Sequence, residues 1–512
     1  MLRIRLTIAA FVALLVVVVA GCGSGSGGDG SDNGSSGSGA GSGLAAFAAP
    51  GSVVFAEAEL KPTGELKSNA DSVAKKLTGE ASLQDFVASK LEKAAREEGK
   101  SLDYATEVEP WLGDRGGVAF ERVAEGELSE PVIAVETTNA KSAQAFVDKR
   151  TAGDKKSASE IGLVGETLVV AASEKEFKAA VKASEGESLG DEDRFQKTME
   201  AASSGSLADV YIDLGRIVDQ SEDEADPPTK EVLQSAGIDP SEATAVASVI
   251  PQAEQVEIDV SSELAGNKAS SGDVSKLLGS LPASSFAALG FAGFSEQFEE
   301  AIDNLDEEGI PPDLEPGELK SAMAQAGIDL DKIAESLSEA AVFIEGNDED
   351  SLGGAMVVTA TSGEAAQAIG SLGALLRAAN VPGITAVSGQ ASGFSISSTE
   401  FGKKALVVVG KGDRVAIGYG LQQAIAGLNA GSGATLSGTP AYKAAVSALG
   451  KTPISGFVDG PAALQLAEAV VPRSKKDFWE VAPYLKKISY VGIGSGSNGE
   501  LATAKIIAGI GK

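Results

Sequence analysis

The 512-residue sequence predicts an α+β fold: two tandem homologous repeats of antiparallel sheet, each with helices packed on one face. Three observations lead there. Apolar residues recur alternately at the period of a strand and at the period of a helix. Many links between strand-like runs are too short for the crossovers that parallel strands need. Five landmarks of the first half also recur, in the same order, in the second.

The chain opens with Arg3 and Arg5, then an apolar run from Leu6 to Ala20 and Gly21-Cys22. At 15 residues that run is shorter than the ~20 a spanning helix needs, and it fits the apolar part of an export signal. Val19, Ala20 and Gly21, directly before Cys22, resemble the bacterial lipobox. In such signals the thiol takes a diacylglyceryl group and cleavage makes that cysteine the new N-terminus. Cys22 is the single cysteine of the chain, so neither a disulfide nor a cysteine cluster accounts for it. Two acyl chains are enough for stable anchoring. The expectation is a signal peptide over 1–21 and a lipidated Cys22 with a Gly/Ser-rich tether over 22–44. Such a tether spans about 25 Å on average.

The first repeat is expected over 45–262, a linker over 263–275 and the second repeat over 276–512. Val53 to Ala58 is strand-like, and Leu83 to Glu98 has apolar residues at helical spacing. Gly117 to Glu121 and Val132 to Glu136 read as paired strands, and Ala140 to Lys149 as a helix. Leu163 to Val170 reads as a hairpin turning at Gly165-Glu166, followed by a helix over Glu174 to Ser184 and a strand over Ala208 to Leu214.

The second half answers in order. Thr138 to Ala145 matches Thr361 to Ala368 at an offset of 223, and Gly165 to Val170 matches Gly412 to Ile417 at 247. Ser188-Leu189 with Phe195 matches Thr435-Leu436 with Tyr442, again at 247. Tyr211-Ile212-Asp213 matches Phe457-Val458-Asp459 at 246, and Pro50 to Phe55 matches Leu281 to Phe286. Offsets that shift and then settle are what loop insertions in a duplicated domain produce.

Composition excludes whole classes of function. Histidine is absent, which removes Ser-His-Asp catalysis, His-ligated zinc and histidine pH switching. A net charge of −31, more negative still once Arg3 and Arg5 leave with the signal, disfavours nucleic acid. Aromatic residues at 5% argue against a base- or sugar-stacking groove, whereas 43% hydrophobic residues suffice for a core.

Ala49 to Phe55, Trp111 to Gly117, Gly165 to Val170, Leu436 to Tyr442 and Phe457-Val458-Asp459 together resemble one family, the domain-of-unknown-function 3352 group of bacterial, often actinobacterial, envelope proteins. The resemblance covers most of the chain beyond the tether. It implies the architecture and carries no activity.

Candidate sites are few. Ser72 and Lys75 fit the S-x-x-K of penicillin-binding enzymes, but Ser31-Asp32-Asn33 precedes them and K-T-G is missing. Gly410 to Arg414 and Gly492 to Gly496 are glycine-rich without the spacing of a phosphate loop, and read as hairpin turns. Asp219 to Asp226, Asp303 to Glu308 and Asn347 to Asp350 cluster oxygens without the EF-hand order. Trp111 to Gly117 reads as a tight turn, with Asp114 and Arg115 paired and Trp111 either plugging the core or forming a recognition loop. The expected protein is a non-enzymatic binding or structural module without a cofactor. It is held by lipid on the outer side of the cell membrane, where an envelope protein is the expected partner. A carrier of apolar ligands and a histidine-free hydrolase are the alternatives.

Overall fold

Successive residues of a strand point to opposite faces of its sheet, and here both faces are apolar. In β1 (Val54–Glu59), Phe55 shares a core with Ala119, Val169 and Tyr211, while Val54 and Ala56 join Val210 and Ile258 in another. The computed structural model describes residues 43–97, 99–124, 127–151, 160–221, 239–265, 272–308, 319–378, 380–498 and 501–511.

The other strands of the first half are β2 (Leu112–Phe120), β3 (Val123–Ala124), β4 (Glu127–Leu128), β5 (Val132–Thr137), β6 (Glu160–Val164) and β7 (Thr167–Ala171), then β8 (Ala208–Asp213), β9 (Asp239–Gln252) and β10 (Gln255–Ala265). Apart from the small β3–β4 hairpin they pair antiparallel in the order β6-β7-β5-β2-β1-β8-β9-β10. The second half supplies β11 (Ser285–Phe291), β12 (Leu337–Glu345), β13 (Gly353–Ala360), β14 (Ile384–Val387) and β15 (Ser392–Ile396). It continues with β16 (Leu406–Lys411), β17 (Arg414–Tyr419), β18 (Ile454–Asp459), β19 (Ile488–Asn498) and β20 (Leu501–Ile510). Their order is β14-β15-β16-β17-β13-β12-β11-β18-β19-β20.

The two halves meet strand to strand. β10 pairs antiparallel with β20 from Gln255↔Gly509 to Ser262↔Ala502, making one sheet of eighteen strands among the described residues. β10 runs on to Ala265, past the expected end of the first repeat.

The expected one-sided helix packing is corrected: helices cover both faces. Val169 packs with Ala180 of helix Glu174–Glu185, and its neighbour Leu168 with Ala143 and Val147 of helix Ala140–Thr151. In the second half Ala416 meets Ala424 and Leu428 of helix Leu421–Leu428, and Val415 meets Ala365 of helix Glu364–Ala378. Runs such as Leu168-Val169-Val170 are apolar at consecutive positions, so neither face of the sheet can be left to water. No helix among the described residues is long and apolar enough to cross a membrane.

Candidate functional site

A row of polar side chains crosses the face that carries Phe55. Glu57 stands opposite Asp209, Asp209 opposite Ser248, Ser248 opposite Asp259, and Asp259 opposite Lys505, so the row steps from β1 to β20 through the junction of the halves. Arg115 of β2 donates to Glu57 Oε1 at 2.7 Å. The Ser206 and Ser248 hydroxyls donate to the two oxygens of Asp209, at 2.8 and 2.6 Å. Ser203 donates from its backbone N–H to Ser248 Oγ at 2.8 Å and from its hydroxyl to Asp259 Oδ2 at 3.0 Å. Lys505 Nζ bonds to Glu257 and lies 3.5 Å from Asp259 Oδ1. Gln252 donates to the other oxygen of Glu257 at 2.6 Å.

Burial pushes the Asp209 carboxyl above its usual range, against the serine hydrogen bonds and the Arg115 charge. Raised carboxyl groups are what acid catalysis uses, yet both Asp209 oxygens already accept from serines. The row links neighbouring strands.

A second cluster closes the same half. Asp213, fully buried at the end of β8, accepts from Arg216 N at 2.9 Å and from the Tyr211 hydroxyl at 3.2 Å. Arg194 and Arg216 pair with it at 3.5 and 3.4 Å, and Arg216 also pairs with Glu192 at 2.9 Å. Burial, then the Asp213 charge, drives the Tyr211 hydroxyl pKa upward. Asp459 likewise ends β18 and caps helix Gly460–Val470, accepting from Ala462 N at 3.0 Å. The Φ-x-Asp signal seen twice in the sequence is thus a strand end and a helix cap in one.

A cleft of about 260 Å³ lies beside the β3–β4 hairpin, between Phe47, Leu128, Val132, Glu121, Arg122 and Glu176. It is smaller than the ~300–1,000 Å³ of typical ligand sites and carries charge among its apolar walls. None of the charged row or of the Asp213 cluster lines it.

Cys22, Val19, Ala20, Gly21 and Ser31 to Asn33 lie outside the described residues, as does part of Asp219 to Asp226. Ser72 donates to the Ala253 carbonyl at 2.8 Å, while Lys75 is exposed, so the S-x-x-K serine serves a contact between elements. Gly412 opens the two-residue turn between β16 and β17 at φ +60, the conformation primed hairpin turns require. Gly492 to Gly496 is no turn, because it lies within β19. There a Cβ on Gly492 would stand 3.0 Å from Ala445 and one on Gly494 3.1 Å from Leu449, so glycine admits helix Pro440–Leu449 onto the sheet.

Trp111 is 3% exposed, donates Nε1–H to the Glu107 carbonyl at 2.6 Å and packs on Phe146, so it plugs the core. The residues after it form β2, not a tight turn, and Arg115 pairs with Glu57 rather than Asp114. Gly117 sits where a Cβ would be 3.2 Å from the Phe55 ring. Asp303 pairs with Lys320, and Asp348 accepts from Ser351. Among the described residues no group of three or more acidic side chains is placed to hold a metal ion. Sequence reasoning missed the polar row; its trace was Asp259 and Lys505, charged residues inside strand-like runs at the same 246-residue offset as Tyr211 and Phe457.

No curated protein and no solved structure matches the chain. A family model does, over residues 66–503, and the chain therefore belongs to the family described as protein of unknown function DUF3352.

Proposed function

We propose that this chain is a lipid-anchored envelope protein with a non-enzymatic binding or structural role, built from two tandem α+β repeats. One observation carries the architecture: the strand order β6-β7-β5-β2-β1-β8-β9-β10 has the same form as β16-β17-β13-β12-β11-β18-β19-β20. Pairing positions agree in detail. Ala134↔Val169 and Val357↔Ala416 give offsets of 223 and 247, and hairpin β14–β15 supplies residues between them. By register Phe55 corresponds to Ala288, so the Pro50–Phe55 match to Leu281–Phe286 is displaced by two residues.

The cores support the same reading through exchanged side chains. Phe55 faces Ala119 in one half, and Ala288 faces Phe343 in the other. The edge-on pair Phe195–Tyr211, at 5.0 Å, is answered by Tyr442–Phe457 at 5.3 Å. Asp259 and Lys505, 246 apart, stand opposite one another, as corresponding residues do on a pseudo-two-fold axis between β10 and β20.

The non-enzymatic reading rests on how the polar groups are used: those of the row and of the Asp213 cluster bond to neighbouring elements, away from the cleft. Anchoring rests on Val19-Ala20-Gly21-Cys22. The test is membrane fractionation and pull-down with wild type and Cys22→Ala. Wild type should stay with membranes and bring down an envelope partner, and the variant should be released. A variant that stays membrane-bound overturns the anchor, and no enrichment in either form overturns the binding role.

A further inference from the structure

The net charge of −31 gives the molecule as a whole no attraction to anionic lipid. One place reverses that sign. Helices Gly460–Val470 and Lys476–Leu485 are joined by residues 471–475, forming a hairpin. This connection carries Arg473 and Lys475 and no acidic residue, and Lys476, followed by Asp477, opens the second helix. All three cations are exposed, and so is Pro472. Val470 at 47% and Val481 at 39% are among the most exposed large apolar side chains described.

Trp479 stands beside this tip. Its Nε1–H donates to the Pro472 carbonyl at 3.2 Å, the Arg473 guanidinium lies 3.6 Å from the ring, and Phe478 packs edge-on at 5.0 Å. The tip is therefore held by an amphipathic aromatic residue with a cation stacked on it. In the first half, the sequence after helix Leu214–Ser221 is Glu222-Asp223-Glu224-Ala225-Asp226, acidic where residues 471–475 are basic.

We propose that this tip is a second membrane contact, docking onto an anionic lipid surface. Arg473, Lys475 and Lys476 would meet headgroups, while Val470 and Trp479 enter the interface. Basic residues with apolar and tryptophan side chains match the two requirements of an anionic bilayer surface, charge at the headgroups and apolar area beneath. The proposal rests on the lipid-anchored reading above.

The test uses full-length lipidated protein, extracted from membranes and reconstituted in vesicles with brominated acyl chains. Quenching of Trp479 emission reports docking, and Trp111, buried in the core, supplies a constant background. Anionic vesicles should quench; zwitterionic vesicles should not, nor should anionic ones in ~1 M salt, where the Debye length is about 3 Å. Lys475→Gln with Lys476→Gln should lower the ratio of docked to undocked protein about 25-fold, at about fivefold per cation. Both side chains are exposed, so an unchanged circular dichroism melt confirms that the fold is kept. Protein that stays vesicle-bound without quenching, or with quenching indifferent to lipid charge, overturns the tip and leaves the anchor standing. Protein that leaves both vesicle types overturns both.

Discussion

Replacing Lys505 by Met removes the cation that faces Asp259 and Glu257 across the junction of the two halves. Burial works against the Lys505 ammonium, yet the Glu257 hydrogen bond and the charges of Asp259 and Glu257 outweigh it and raise the pKa. At 3.5 Å the Asp259 attraction alone is about 5 kcal/mol with an effective dielectric near 20. The three side chains keep 29% (Lys505), 25% (Asp259) and 10% (Glu257) of their exposure, so water screens much of this. The net loss should be about 2–3 kcal/mol, between the ~1 of exposed pairs and the ~3–5 of buried ones. With Glu257→Gln and Asp259→Asn already present, no carboxylate is stranded, and the same substitution should cost under ~1 kcal/mol. Urea unfolding at pH 7, followed by tryptophan emission, measures both. Because the amine's pKa is raised, its contribution is full below the unfolded value and fades as pH climbs through the folded one. The gap between wild type and Lys505→Met should therefore close only in strong alkali. Equal losses in the two backgrounds would refute the reasoning.

Three further outcomes follow from the packing. Phe343→Ala should cost about 3–5 kcal/mol, and adding Ala288→Phe should recover part of it, since the ring then takes the place Phe55 holds in the first half; no recovery in a thermal melt counts against the repeat correspondence. Gly418→Ala puts a Cβ 2.6 Å from the Ala424 backbone nitrogen and should destabilise by about 1–3 kcal/mol, whereas an unchanged denaturation midpoint would contradict that close approach. Since burial raises the Asp209 pKa, the folded state holds that proton more tightly, and stability falls as pH rises from about 3.9 through the raised value. Asp209→Asn should gain on wild type across that window; parallel pH–stability curves would exclude this.

Strands and helices were legible where the chain's own periodicity set them. The hairpin at Gly165-Glu166, helix Ala140–Thr151 and strand Ala208–Asp213 stand where the pattern places them, with ends shifted by a residue or two. Glycines misled in two places. Trp111 to Gly117 and Gly492 to Gly496 read as turns because glycine suits positive φ, yet both stretches enter strands in which glycine makes room for a neighbour. That role depends on what packs above the strand, which local sequence does not record. Arg115 likewise bonds to Glu57, a strand away, rather than to the adjacent Asp114.

Periodicity and short residue words by themselves determined the α+β class, the antiparallel hairpins and the family, because each is written in residues near one another. The row from Arg115 to Lys505, the buried Asp213 cluster and the cover on both faces were decided only by tertiary structure. Each depends on which strand lies beside which. That adjacency is fixed when β10 and β20 pair edge to edge and bring Asp259 against Lys505.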